Sequence, residues 1–375
     1  MITKFLPLPD DSGGRQRSLA IARRLAERTD LVLCAYDDGS GDDAGLRALG
    51  IDVRSVPWEV TPARVAKGLW MTHSASAARF WSSDLAQVVR EAASESPIDL
   101  LQVEYQQMAP LAAGIPAKCR VIDLHNVESS LMASYARAGR GPSAVFSRAE
   151  AAALRRVERR TLGDFDHVLV VSQKEKARLP DVARSVLVCP NGREPAGLLP
   201  ASTTRTVAFI ATMGWAPNVD AARWLGREIW PLVVEQVPDA HLLLVGRDPS
   251  PDVVAMGGPQ IEVTGTVADV APYLERSTVV VAPLRAGGGT RLKIMEALDA
   301  GRPVVATSVG CDGLEDLIGR GVILAETARE MADAVVGLLR DPVGAAELGR
   351  QGHDAVVAEH TWDIALEPLL ARLSA

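Results

Sequence analysis

The sequence predicts an α/β protein made of two doubly wound parallel sheets. Three observations carry this. Short apolar, β-branched runs alternate with stretches of helical periodicity along the 375 residues. Nearly every run closes in glycines or polar residues, which gathers the loops at one edge of each sheet. LLPASTT, Leu198 to Thr204, is a Pro/Ser/Thr-rich break between two such alternations. The expected division is 1–198, 199–354 and a C-terminal helix, 355–375, packed back across the boundary. Two such domains joined by one linker are expected to face each other across a cleft.

Composition narrows the function classes. At 47% hydrophobic and 23% charged the chain is globular, and its net charge of −7 argues against general nucleic-acid binding. Cys34, Cys119, Cys189 and Cys311 match neither a zinc spacing nor a disulfide framework, and no metal is expected. No apolar run reaches the roughly 18 residues of a membrane span. MITKFLPLPDDSGG has too short an apolar core for a signal peptide, so a cytoplasmic protein is expected.

In the first half, Thr3 to Leu8 reads as a strand and Arg15 to Arg28 as a helix burying Leu19, Ala22 and Leu25. Gly13 and Gly14 occupy the turn between them, a candidate ligand loop. Strands follow at Leu31–Tyr36 and Ile51–Val56. DDGSGDD, Asp37 to Asp43, departs from the EF-hand order and reads as a solvated turn. Pro57 to Arg79, with Trp58, Trp70 and His73, reads either as a wall over a cleft or as a surface helix pair. A helix at Ser83–Ala93 and a strand at Leu100–Val103 bring Glu104 and Tyr105 to a strand's C-terminal end, where ligands of open α/β sheets lie. The strand Arg120–Leu124 ends in His125, Asn126, Val127 and Glu128. A histidine there can act as a base or donate a hydrogen bond; a structural role is the equal alternative. The helix Ser147–Arg160 sets Arg148, Arg155, Arg156, Arg159 and Arg160 against Glu150 and Glu158. A solvated face with i,i+4 pairs is the preferred reading, and contact with anionic lipid or an acidic acceptor is the alternative. Strands at His167–Ser172 and Val186–Pro190 complete this half.

The second half opens with a strand at Thr206–Ala211, followed by Gly214 and a helix at Asn218–Val234. Strands at His241–Val245 and Ile261–Val263 end at Gly246-Arg247 and at Thr264–Val267, and a short helix spans Ala268–Glu275. Ser277 to Leu284 is a buried strand. Gly287–Gly289 allow the backbone to approach a ligand closely. Thr290 to Ala300 reads as a helix with Leu292, Met295 and Leu298 near one face and Gly301 as its stop, and VVAT resumes a strand after Pro303. The amides at such a helix start form a site for phosphate. Arg291 and Lys293 oppose the helix dipole there unless an anion offsets them. Glu296 lies about 9 Å along the axis from Thr290, too far for the phosphates but within reach of sugar hydroxyls attached to them. Arg285 precedes the glycines. No Gly-Lys-Ser/Thr follows, so this is not a Walker loop.

Taken in order, SGG (12–14), PNG (190–192), LVGR (244–247), TGTVADV (264–270) and GGTRLKIMEALDAGRPVVATSVG (288–310) make the chain resemble the nucleotide-sugar-dependent glycosyltransferases of family 4. The resemblance implies the GT-B architecture, two Rossmann-like domains across a cleft, with acceptor on the first and donor on the second. It implies retaining transfer of a sugar from a nucleoside-diphosphate sugar to a hydroxyl of a glycan, a lipid-linked or a small-molecule acceptor. No metal is implied, and no cofactor beyond the co-substrate. Glu296 matches the carboxylate that holds the donor ribose. Gly214, Arg247, Val267, Arg285, Gly288, Gly289 and Thr290 are the implied donor lining. His125 matches a histidine near the acceptor and reaction centre, with Gly13, Gly14, Glu104 and Asn126 around it, in a positioning and electrostatic role.

Two departures stand out. The first Glu of the family's E-x-x-x-x-x-x-x-E is replaced by Gly288. Thr212 to Asp220 carries neither the Arg nor the Lys that clamps the diphosphate. Arg291 and Lys293, with Arg285 nearby, are expected to supply that charge. The rival readings are a sugar-nucleotide epimerase and a non-catalytic sugar-nucleotide binder. A nicotinamide dehydrogenase is disfavoured by the absence of G-x-G-x-x-G.

Overall fold

In the computed structural model, which describes residues 1–138, 141–286 and 292–373, the strands form two parallel sheets. The chain divides into two units, Met1–Pro190 with Leu366–Ala375, and Asn191–Ala365.

The first unit contains β1 (Ile2–Phe5), β2 (Val32–Asp37), β3 (Asp52–Pro57), β4 (Leu100–Glu104), β5 (Cys119–Leu124), β6 (His167–Val170) and β7 (Val186–Val188). Their order is β3-β2-β1-β4-β5-β6-β7, so the winding reverses between β1 and β4. The second unit contains β8 (Thr206–Ile210), β9 (His241–Val245), β10 (Ile261–Gly265), β11 (Val279–Ala282), β12 (Val304–Ala306) and β13 (Val322–Leu324), ordered β10-β9-β8-β11-β12-β13. Here the winding reverses between β8 and β11. Each reversal is a topological switch point, the place where open α/β sheets bind ligands at their C-terminal strand ends.

The central strands form because they are apolar on both faces. Along β8, Val207 and Phe209 enter one core and Ala208 and Ile210 the other, while Leu242 and Leu244 of β9 face opposite to Leu243 and Val245. Helices cover both faces, which is the condition for a parallel sheet. No helix among the described residues is long and apolar enough to cross a membrane.

Several elements differ from expectation. Pro57 to Arg79 takes the helix-pair form, as Pro62–Thr72 and Ala75–Ala78, with His73 in the left-handed region (φ 56°) ending the first helix. The helix Glu128–Ala138 was not foreseen, and the arginine-rich helix begins at Pro142 and runs to Thr161. The Asn218–Val234 helix contains a π-turn at Leu225–Ile229. The C-terminal segment is two helices, Pro342–Glu359 and Trp362–Leu373. They part because the backbone of Arg193 intervenes: its N–H bonds His360 O at 2.8 Å, and its carbonyl accepts from Trp362 N at 3.3 Å.

The division between units falls at Pro190, ahead of the Leu198–Thr204 stretch, because the residues between are held by the second unit. Arg193 Nε lies 3.2 Å and Ala196 N 2.8 Å from Asp299 Oδ2. Leu199 N donates to Ala300 O at 3.4 Å.

Candidate active site

The switch point of the first unit holds a cluster of buried ionisable side chains. The helix Gly13–Ala26 starts directly after the loop that leaves β1. A Cβ at Gly14 would come 2.2 Å from Tyr105 Oη, so any larger residue there would displace the tyrosine. Tyr105 follows β4 with φ 69°, a strained left-handed conformation held by its N–H bond to Asp123 O at 2.9 Å. The turn lays its ring on His125, with centroids 3.7 Å apart and planes 23° from parallel. Lys4 Nζ sits 4.1 Å from the centre of the Tyr105 ring, and burial lowers its pKa to about 8.

Beneath the stacked rings, His125 Nε2 is 2.9 Å from Glu104 Oε2 and 3.7 Å from Asp123 Oδ2. Glu104 also accepts from Gln102 Nε2 at 2.7 Å and Ser18 Oγ at 3.3 Å. Arg17 grips Asp123 through two bonds, Nε at 2.6 Å and Nη2 at 2.9 Å, and donates to Pro190 O at 3.1 Å. Arg17, Glu104, Asp123 and His125 are all buried.

Burial governs their protonation. It lowers His125 to about 3 and raises Glu104 and Asp123. Arg17 offsets the charge of Asp123, and Glu104 and His125 titrate as a coupled pair across the Nε2–Oε2 contact. The imidazole is neutral, and its Nδ1 lies on the side of Gly14, where a Cβ would stand 3.7 Å from it. Glu104, Asp123 and His125 offer donor atoms within 4.8 Å of one another, the spacing of a metal site. Arg17 occupies both oxygens of Asp123 and brings its own positive charge, which opposes a metal ion there. Asn126, next in the chain, is half-buried.

In the second unit the expected donor residues follow successive strand ends: Gly214 after β8, Arg247 after β9, Val267 after β10 and Arg285 after β11. A Cβ on Gly214 would be 2.8 Å from Asp248 O, and Met213 N bonds Arg247 O at 2.8 Å, which ties two of these loops together. Arg247 Nε is 4.0 Å from Asp248 Oδ2. Val267 packs partly buried on the core. Arg285 is committed to Asp220 through bonds of 2.6 and 3.0 Å and lies over the Trp224 ring at 5.2 Å.

The helix Leu292–Asp299 buries Ile294, Met295, Ala297 and Leu298, which aims Glu296 away from the core. Glu296 is half-buried between two cations, Lys293 Nζ at 2.6 Å and Arg193 Nη1 at 3.7 Å. Gly288, Gly289, Thr290 and Arg291 lie outside the described residues.

Sequence reasoning missed Arg17, Asp123, Lys4 and Arg193. Arg193 had a signal, since it directly follows the Pro190–Gly192 motif. Arg17 had one too, as a cation in the second turn of a helix that opens on glycines.

Comparisons with known proteins bear on the family and the fold. Residues 12–192 match the glycosyl transferase 4-like domain and residues 204–341 the glycosyl transferases group 1. Over 148 residues the chain is 30% identical to trehalose synthase of Rubrobacter xylanophilus, and the match spans 35% of this chain and 35% of that relative. The structure resembles sucrose-phosphate synthase from Thermosynechococcus elongatus with a TM-score of 0.70 at 19% identity, covering 100% of this chain and 98% of that one. It resembles Anabaena HepE, solved with UDP and glucose, with a TM-score of 0.68 at 15% identity, covering 100% and 99%. Two domain matches in sequence order, on two parallel sheets each wound about its own switch point, place this chain in the family 4 glycosyltransferases of GT-B fold.

Proposed function

We propose that this glycosyltransferase moves a sugar from a nucleoside-diphosphate sugar to an acceptor hydroxyl, with retention of configuration and without a bound metal. The donor binds the second unit and the acceptor the first. The observation that carries the donor assignment is Glu296, a half-buried carboxylate poised by Lys293 and Arg193 beside the strand ends of the second sheet. Its oxygens accept the two ribose hydroxyls. Lys293 and Arg247 offset the charge of the leaving diphosphate, a task that Thr212 to Asp220 cannot perform for want of a cation. HepE, of the same fold, was solved with UDP and with glucose, which supports a nucleotide-sugar donor for this chain as well.

On the acceptor side, neutral His125 holds the incoming hydroxyl oxygen in line without taking its proton, with Glu104 fixing the imidazole from behind. The departing phosphate takes the hydroxyl proton, so no protein general base is needed, and no protein nucleophile is invoked.

Thermal stability of the pure protein against UDP, GDP, dTDP, ADP, CMP and NAD tests the donor assignment. A ligand that binds only the native state raises the midpoint. One nucleoside diphosphate is expected to raise it, and Glu296→Ala to abolish that rise. No shift with any diphosphate, or a shift with NAD alone, overturns the proposal.

A further inference from the structure

The helix Pro142–Thr161 carries several exposed arginines, Arg155, Arg156, Arg159 and Arg160, whose charge the fold offsets only in part. Within the helix no glutamate stands at i,i+4 from an arginine; Arg155 and Glu158 are three residues apart and interact as charges, but the oxygens of Glu150 and Glu158 are bonded elsewhere. Glu150 accepts from Ser74 Oγ at 2.5 Å, Ser76 N at 2.9 Å and Ala75 N at 3.1 Å, capping the helix Ala75–Ala78. Glu158 is buried and accepts from Ser129 Oγ at 2.7 Å and Ser129 N at 3.1 Å. Arg155 and Arg159 stand one turn apart on the same helix face. Together with Arg178 they line a pocket of about 450 Å³ whose remaining wall is Leu179, Pro180, Asp181 and Val182.

Arg155 feels the buried carboxylate of Glu158 as a neighbouring charge, and Asp181 is the one carboxylate residue among those lining the pocket. Three positive charges around one concavity, against a single carboxylate, repel one another unless an anion sits between them. Guanidinium forks match the oxygens of phosphate, and Leu179, Pro180 and Val182 leave an apolar margin beside them. The chain path separates this pocket from the His125 cluster. Its helix leads into the start of β6 and its loop into the start of β7, so it lies toward the N-terminal edge of the sheet. The His125 cluster lies at the C-terminal edge.

We infer that the Arg155–Arg159–Arg178 pocket binds a phosphate group, either of a free phosphoanion or of an anionic lipid head. The experiment compares the full chain with the Arg155→Gln/Arg178→Gln double variant in two arms. Calorimetric titration with inorganic diphosphate reads the free anion. Co-sedimentation with phosphatidylcholine vesicles, with and without phosphatidylglycerol, reads the lipid head. Binding in either arm that weakens about tenfold or more in the variant supports the site and names its source. Diphosphate bound at the donor site persists in the variant and is subtracted by the comparison. The replaced side chains are exposed, so the variant's thermal midpoint is expected to be unchanged or raised, and Arg159→Gln provides a second folded variant. Wild type and variants that behave alike in both arms overturn the inference. Neither arm reads turnover, so the result is independent of the reaction proposed above.

Discussion

His125 is a residue whose chemistry is set by what surrounds it. Stacked under Tyr105, bonded to Glu104 and close to the cations Arg17 and Lys4, it has no room for a proton on both nitrogens. Its folded pKa of about 3 lies below the ordinary 6.5, so the unfolded chain takes up the proton first. The contribution of His125 to stability is therefore complete above 6.5 and is lost as pH falls from there toward 3. Glu104 and Asp123, whose pKa values burial raises, act in the opposite sense. Global unfolding would mix these terms, whereas the imidazole resonances in an NMR titration isolate one. His125 is expected to show no protonation step between about pH 7.5 and 5. A step near the ordinary value would contradict the neutral imidazole and, with it, the positioning role proposed for His125.

At the scale of elements, what is local was legible and what is remote was not. Buried strands such as β11 and β12 announce themselves as unbroken β-branched runs, and the candidate His125 and Glu104 were found because they terminate such runs. The Arg17–Asp123 pair could not be read, since its members stand 106 residues apart in the chain. The helix Glu128–Ala138 escaped because it is anchored by a polar contact, Ser129 on Glu158, and not by an apolar stripe. The break at His360–Thr361 is likewise imposed from outside, by Arg193. That break depends on Gly192, where a Cβ would stand 2.5 Å from Trp362 N and 2.6 Å from Trp362 Cα. Both are backbone atoms that cannot rotate away. Gly192→Ala is expected to destabilise the protein by about 1–3 kcal/mol in urea unfolding. An unchanged midpoint would mean that the two terminal helices part for another reason.

Across the whole molecule the distribution of charge decides how a donor diphosphate can be held. The loop after β8 offers no cation, Arg285 is neutralised by Asp220, and Arg193 lies between Asp299 and Glu296. Lys293 pairs with Glu296 at 2.6 Å, with about half its side chain exposed (47%). An exposed pair of this kind contributes little to folding. The same ammonium beside a departing diphosphate would act where charge develops, and there its removal costs far more. Lys293→Ala is therefore expected to leave the thermal midpoint within a degree or two of wild type while lowering turnover about a hundredfold or more. Equal turnover in the two proteins would remove Lys293 from the reaction. The charge would then have to come from Arg247 or from the glycine loop itself, and Arg247→Ala measured in the same assay would separate those two.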